Sequence, residues 1–81
     1  MADGKAVQGF RLAGFVARVD VVAANEKGPA QVWVRVDFMG GTERLQLADA
    51  SERPGVGEAF DRPVSVMRSA KGGYWVRERL G

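Results

Sequence analysis

Trp33 stands two residues before Arg35, and Trp75 stands two residues before Arg77. Residues i and i+2 of an extended chain project from the same side, so each pair sets an indole beside a guanidinium. An indole face takes a planar partner such as a base, and an Arg fork pairs with phosphate oxygens. Phe15 is a third stacking face. Arg18, Arg44, Lys27 and Lys71 are further phosphate contacts. The chemistry these types suit is recognition by stacking and charge, with no covalent step.

Residues for covalent chemistry are scarce. The chain has neither histidine nor cysteine, so the commonest general base, the commonest metal ligand, thiolate sites and disulfides are all excluded. No Ser has a His or Lys partner that would make it a nucleophile. Gly40-Gly41 and Gly72-Gly73 read as hairpin turns, because neither leads into the Gly-Lys-Ser/Thr ending of a phosphate loop. Asp49, Glu52 and Glu58 lack the alternate-position spacing of a calcium loop. No aromatic ribonucleoprotein signature is present. The expectation is a binding protein with no catalytic residues, no metal and no cofactor.

Composition sets the frame. The 81 residues make one domain, 46% of them hydrophobic. Such a chain buries only about 60% of its unfolded surface, so it must close its sheet or dimerise. No apolar run approaches the length of a membrane span, and Met1-Ala2-Asp3-Gly4-Lys5 lacks the apolar core of a signal peptide. A cytoplasmic protein without a small-molecule substrate is expected. The net charge is +2, unevenly spread. Residues 1–61 hold seven Lys/Arg against nine Asp/Glu, whereas residues 62–81 hold five against Glu78 alone. Arg supplies nine of the twelve cations, a bias that the codons of a GC-rich genome would also produce.

The elements that position these residues are strands. Residues 1–8 read as a flexible tail and 9–81 as one barrel domain. Phe10 to Ala24 forms a long first strand in which Leu12, Gly14 and Val16 share a face. Val19 and Val21 share it only if a residue is inserted near Ala17-Arg18, the signature of a β-bulge. Asn25 to Ala30 is a loop. Val32, Val34, Val36 and Phe38 then alternate with Trp33, Arg35 and Asp37, a half-buried second strand. Gly40-Gly41 turns into a third strand, with Leu45 and Leu47 inward and Arg44 and Gln46 outward. A turn-rich connection follows, with room for one helical turn at Ala48–Glu52. Phe60 to Ala70 is a fourth strand, where Pro63 marks an edge or a strand start. After the Ser69–Gly73 hairpin, the fifth strand turns Tyr74, Val76 and Leu80 one way and Trp75, Arg77 and Arg79 the other.

Five short-linked strands with a bent first strand predict an all-β fold, a five-stranded OB-fold-like barrel with little or no helix between strands 3 and 4. An SH3-like barrel is the alternative. In the OB arrangement the loops holding Lys27 and Lys71 flank the sheet face of strands two and three, where Trp33, Arg35 and Arg44 stand together. Each residue would also serve a plainer purpose. Trp33 and Trp75 would equally cap a barrel end or fill a dimer interface, and Phe15 would equally join the core. Arg35 beside Asp37 and Glu43 fits an ordinary ion pair, and loop lysines are usually only solvated.

Leu12–Val19, Val32–Val36, Val64-Ser65-Val66 and Lys71–Arg77 together resemble the small OB-fold single-stranded-DNA-binding proteins of phages and plasmids. The resemblance is one of pattern and spans residues 9–80. It implies sequence-tolerant binding of single-stranded DNA, or of RNA, by a homodimer during DNA replication. Cellular members add an acidic tail, whereas residues 79–81 here are Arg-Leu-Gly. The competing function is a protein-protein interaction module, in which the same aromatic and Arg residues anchor a partner.

Overall fold

The computed structural model describes residues 6–80, with side chains from residue 10 onward. Five strands follow one another: β1 Ala6–Val22, β2 Gln31–Phe38, β3 Gly41–Gln46, β4 Ala59–Arg68 and β5 Tyr74–Glu78. No helix occurs among the described residues. The strands close into a barrel in the order β1-β2-β3-β5-β4. This is the five-stranded barrel expected of the OB-fold-like reading, and its strand count agrees with the SH3-like alternative as well.

Alternation builds the core. Val32, Val34 and Val36 of β2 are wholly buried, as is Leu45 of β3. Val16, Leu47, Phe60, Val64 and Val76 complete the cluster, with Leu12, Val19 and Val66 packed against it. Each such side chain contributes about 1.5–3 kcal/mol when removed from water. β-Branched residues suit a pleated half-buried surface, which is why the valine-rich segments form strands.

β1 serves two neighbours. Its first half pairs with β4 and its second half with β2, both antiparallel. A bulge between Val16 and Arg18 shifts the register, as the parity change predicted. Gly14 lets the bent strand approach β2. A Cβ placed there would lie 2.0 Å from the Asp37 carbonyl oxygen, well inside van der Waals contact. At the bend, Val16 N donates to Glu58 O at 2.9 Å, and Gly57 N donates to Val16 O at 2.7 Å. The β3–β4 connection thus fastens to the bulge.

Several expectations need correction. The strand reaches back to Ala6, so residues 6–8 belong to β1 rather than to a tail; residues 1–5 lie outside the described residues. A second bulge falls between Val7 and Phe10. The β2–β3 turn is Met39-Gly40, not Gly40-Gly41, because Phe38 pairs with Gly41 and Gly40 supplies the positive φ of 102°. In place of a helical turn, Ala48–Glu52 holds a single hydrogen-bonded turn, Glu52 N donating to Asp49 O at 3.1 Å. Asp49 Oδ1 accepts from Ser51 N at 2.9 Å and from Ser51 Oγ at 2.7 Å, a local alternative to helix. Pro63 sits inside β4, yet β5 ends opposite Val64. Pro63 O accepts from Arg79 N at 2.9 Å, so the missing Pro63 N–H falls in a final half-made rung just beyond the named ladder. Tyr74 opens β5 and Leu80 lies beyond its end at Glu78, and the two are 63% and 78% exposed, so neither joins Val76 in the core.

One end of the barrel is stapled by charge. Arg62 shares the parity of Phe60 and Val64, and its guanidinium lies 5.0 Å from the Phe60 ring centroid. Arg62 Nη1 donates to Glu52 Oε1 at 2.8 Å and to Glu78 Oε2 at 3.1 Å, while Nη2 donates to Glu52 Oε2. Glu78 Oε1 also accepts from Ala48 N at 3.1 Å. The connection, β4 and β5 are joined at one point.

β3 and β5 run parallel, and their ladder holds only Leu45↔Val76 and Gln46↔Arg77. Every other seam of the barrel has at least five such pairs.

Candidate nucleic-acid interface

Cross-strand register arranges the outer face of β1, β2, β3 and β5 in rows. Trp33 lies between Asp20 of β1 and Gln46 of β3, and Gln46 in turn pairs with Arg77 of β5. The next row is Arg18, Arg35 and Arg44. The row beyond holds Phe15, Asp37 and Thr42.

The tryptophans lean together over β3. Their ring centroids are 6.1 Å apart and their planes are inclined at 57°. Both residues are half-buried. The Arg44 guanidinium sits 4.2 Å from the Trp33 centroid, a cation–π contact worth about 0.5–1 kcal/mol at an exposed site. Trp33 Nε1 donates to Gln31 Oε1 at 2.8 Å. That bond fixes the indole's rotation and leaves the Gln31 amide NH₂ directed elsewhere.

The charges on this face are mostly unneutralised. Arg18 Nε is paired with Asp20 Oδ1 at 2.8 Å. Arg35 does not form the plainer alternative, an ion pair with Asp37 or Glu43, because the register sets it opposite Arg44 and Arg18. Glu43 instead faces Val36, and its Oε1 lies 3.5 Å from Tyr74 Oη. Like charges directly opposite one another destabilise a sheet. A row of three arginines is therefore not explained by the needs of the fold.

The structure thus brings together Trp33, Trp75, Arg35, Arg44 and Arg77, with Arg18 at the margin. Phe15 is separate. It is outward and 61% exposed, but its row lies four residues along β2 from Trp33, roughly 13 Å. Lys27 sits in the β1–β2 loop, where its backbone N donates to Asn25 Oδ1 at 2.7 Å. Lys71 sits in the β4–β5 hairpin, its N donating to Ser69 Oγ at 3.2 Å. The strand directions set these two exposed loops at opposite ends of the tryptophan face.

Gln46 lies on this surface, as its outward position in the third strand predicts, and Gln31 joins it without having been singled out from the sequence. A polar residue two positions before an outward Trp is the only local signal for Gln31. Among the described residues, no group of three or more acidic side chains could hold a metal ion. The face can therefore stack planar groups and hold anions. Comparison with known proteins gives no match to a family model, a curated protein or a solved structure.

Proposed function

We propose that this barrel is a non-catalytic, largely sequence-independent binder of single-stranded DNA. The observation that supports the reading is the Arg18–Arg35–Arg44 row beside the paired Trp33 and Trp75. A single strand needs stacking surfaces and a cationic track, and this face combines both across the four adjacent strands β1, β2, β3 and β5. An anionic ligand also offsets the repulsion that the row builds into the free protein. Trp33 and Trp75 stack on bases. Arg35, Arg44 and Arg77 contact phosphates, with Arg18 adding one more when Asp20 yields. Lys27 and Lys71 extend the track at the two ends. The likeness to small phage and plasmid proteins is what connects this activity with DNA replication. In a homodimer, exposed Phe10, Phe15 and Phe38 are apolar surface for the contact to cover.

Tryptophan fluorescence tests the reading directly. Oligo-dT at low salt should quench the emission, and added NaCl should restore it. A signal unmoved by micromolar oligo-dT would overturn the proposal. One observation favours protein recognition instead: Phe38 is 37% exposed and the adjacent Met39 is 99% exposed at the β2–β3 turn, as an apolar anchor would be. A protein ligand would bind with little salt dependence.

A further inference from the structure

A concavity opens on the outside of the barrel where β4 meets the end of β5. It is a hollow of about 190 Å³ lined by Ser65, Met67, Arg77, Glu78, Arg79 and Leu80. Ser65 lies opposite Arg77 and Met67 opposite Trp75. Ser65 projects away from the Val64 and Val66 side of β4, yet it is only 7% exposed. An outward residue is buried to that degree when it forms the floor of a depression. Opposite it, β1 carries its bulge between Val7 and Phe10, which bends β1 at the level of Ser65.

The electrostatics of the hollow are those of an anion site. The exposed Arg77 stands on its wall. The one carboxylate among its described lining residues, Glu78, is committed to Arg62 and to Ala48 N. The volume falls below the roughly 300 Å³ at which sites begin to take drug-sized ligands, so a compact group is required. Arg77 is also two residues from Trp75 on the same outer face of β5, about 7 Å along the strand. A ligand stacked on Trp75 thus has its next anionic group within reach of the hollow.

We infer that this hollow holds one phosphate group, bound by the Arg77 guanidinium with the Ser65 hydroxyl beneath it. It receives the backbone phosphate next to the base stacked on Trp75. The bound strand accordingly leaves β3, crosses β5 and ends over β4, rather than staying on β2 and β3. The path rests on the single-strand reading above, whereas the phosphate site itself does not.

The test follows the backbone amide signals of the full chain by two-dimensional NMR, titrated separately with inorganic phosphate and with oligo-dT. Saturable shifts centred on Ser65, Met67 and Arg77 are expected with both. Arg77→Met should abolish the saturation with phosphate, whereas Arg68→Met, a cation outside the hollow, should preserve it. Equal loss in both variants would mean a response to overall charge and would overturn the site. Tryptophan quenching by oligo-dT with unmoved hollow amides in both titrations would overturn the inference and leave the single-strand reading standing. Phosphate shifts at the hollow without any response to oligo-dT would support a free-anion site and overturn the strand path.

Discussion

Arg35 stands directly opposite Arg44 across the β2–β3 ladder, and Arg44 in turn lies over the Trp33 ring rather than over a carboxylate. Opposed like charges cost a sheet roughly 0.2–1 kcal/mol. Arg35→Thr should therefore raise the urea midpoint slightly while weakening binding to oligo-dT. The slope of log K against log salt should become shallower by about 0.7 if one phosphate contact is lost from a single strand. Back-titration with NaCl measures the slope. A stabilised protein with unchanged affinity would remove Arg35 from the interface.

Trp33→Ala and Trp75→Ala should each weaken oligo-dT binding by about 1–3 kcal/mol, the range for one stacked base. Anisotropy of a labelled strand reads this without relying on the deleted fluorophore. Both side chains lie outside the core cluster, so circular dichroism should still report a folded barrel.

Gln31→Leu removes the acceptor of the Trp33 indole N–H and keeps the fold. The ring then loses its fixed rotation. Affinity should fall by less than in Trp33→Ala, and the Trp33 emission should shift because the indole N–H has a new environment. Identical affinity in Gln31→Leu and the parent would show that ring rotation is fixed by packing alone.

Gly14→Ala should cost more than about 3 kcal/mol, since the new methyl meets backbone that cannot rotate away. Denaturant unfolding checks it. An unaltered midpoint would mean that β1 and β2 separate at the bend with little penalty.

Acid should loosen the barrel end held by Arg62. The hydrogen bond from Arg62 is the largest influence on the Glu52 carboxyl and holds it below the ordinary 4.5, against the opposing effect of desolvation. A carboxyl whose folded value is depressed stabilises the fold above the unfolded value. That contribution disappears as pH falls through the lower, folded value. Stability should thus decline below pH 4.5. Glu52→Gln should lower stability at neutral pH by about 1 kcal/mol, after allowance for partial exposure, and flatten the acid limb. Urea midpoints of both proteins across pH 3–7 provide the comparison.

The legible parts of this molecule were those written in local period. The parity shift around Ala17 located the first bulge, and the Val32–Phe38 alternation placed Trp33 and Arg35 outward. Facing survived an error in the turn. Moving the loop from Gly40-Gly41 to Met39-Gly40 changes every β2–β3 partner by two residues, which preserves inside and outside but exchanges neighbours. Hence Arg44 was assigned to the right face while its position opposite Arg35 went unseen. The Glu52–Arg62–Glu78 staple had no local signal at all. Its members come from three segments that only barrel closure brings together. The Ser65 hollow was hidden for the same reason, since it depends on the second bulge of β1 and on where β5 ends.

The short seam between β3 and β5 lies beneath the tryptophan pair. Parting these strands breaks fewer rungs than parting any other two, so thermal breathing of the barrel concentrates there. The two rings ride on opposite sides of that hinge, Trp33 with β2 and Trp75 with β5. A small opening would widen the jaw between them without disturbing the valine core of β2. If the face takes bases as proposed, such a jaw would adjust its gap to purine or pyrimidine alike, and a base gripped in it would pin the hinge shut. Amide hydrogen exchange at Leu45, Gln46, Val76 and Arg77 would then slow on binding, turning the barrel's weakest joint into its ligand sensor.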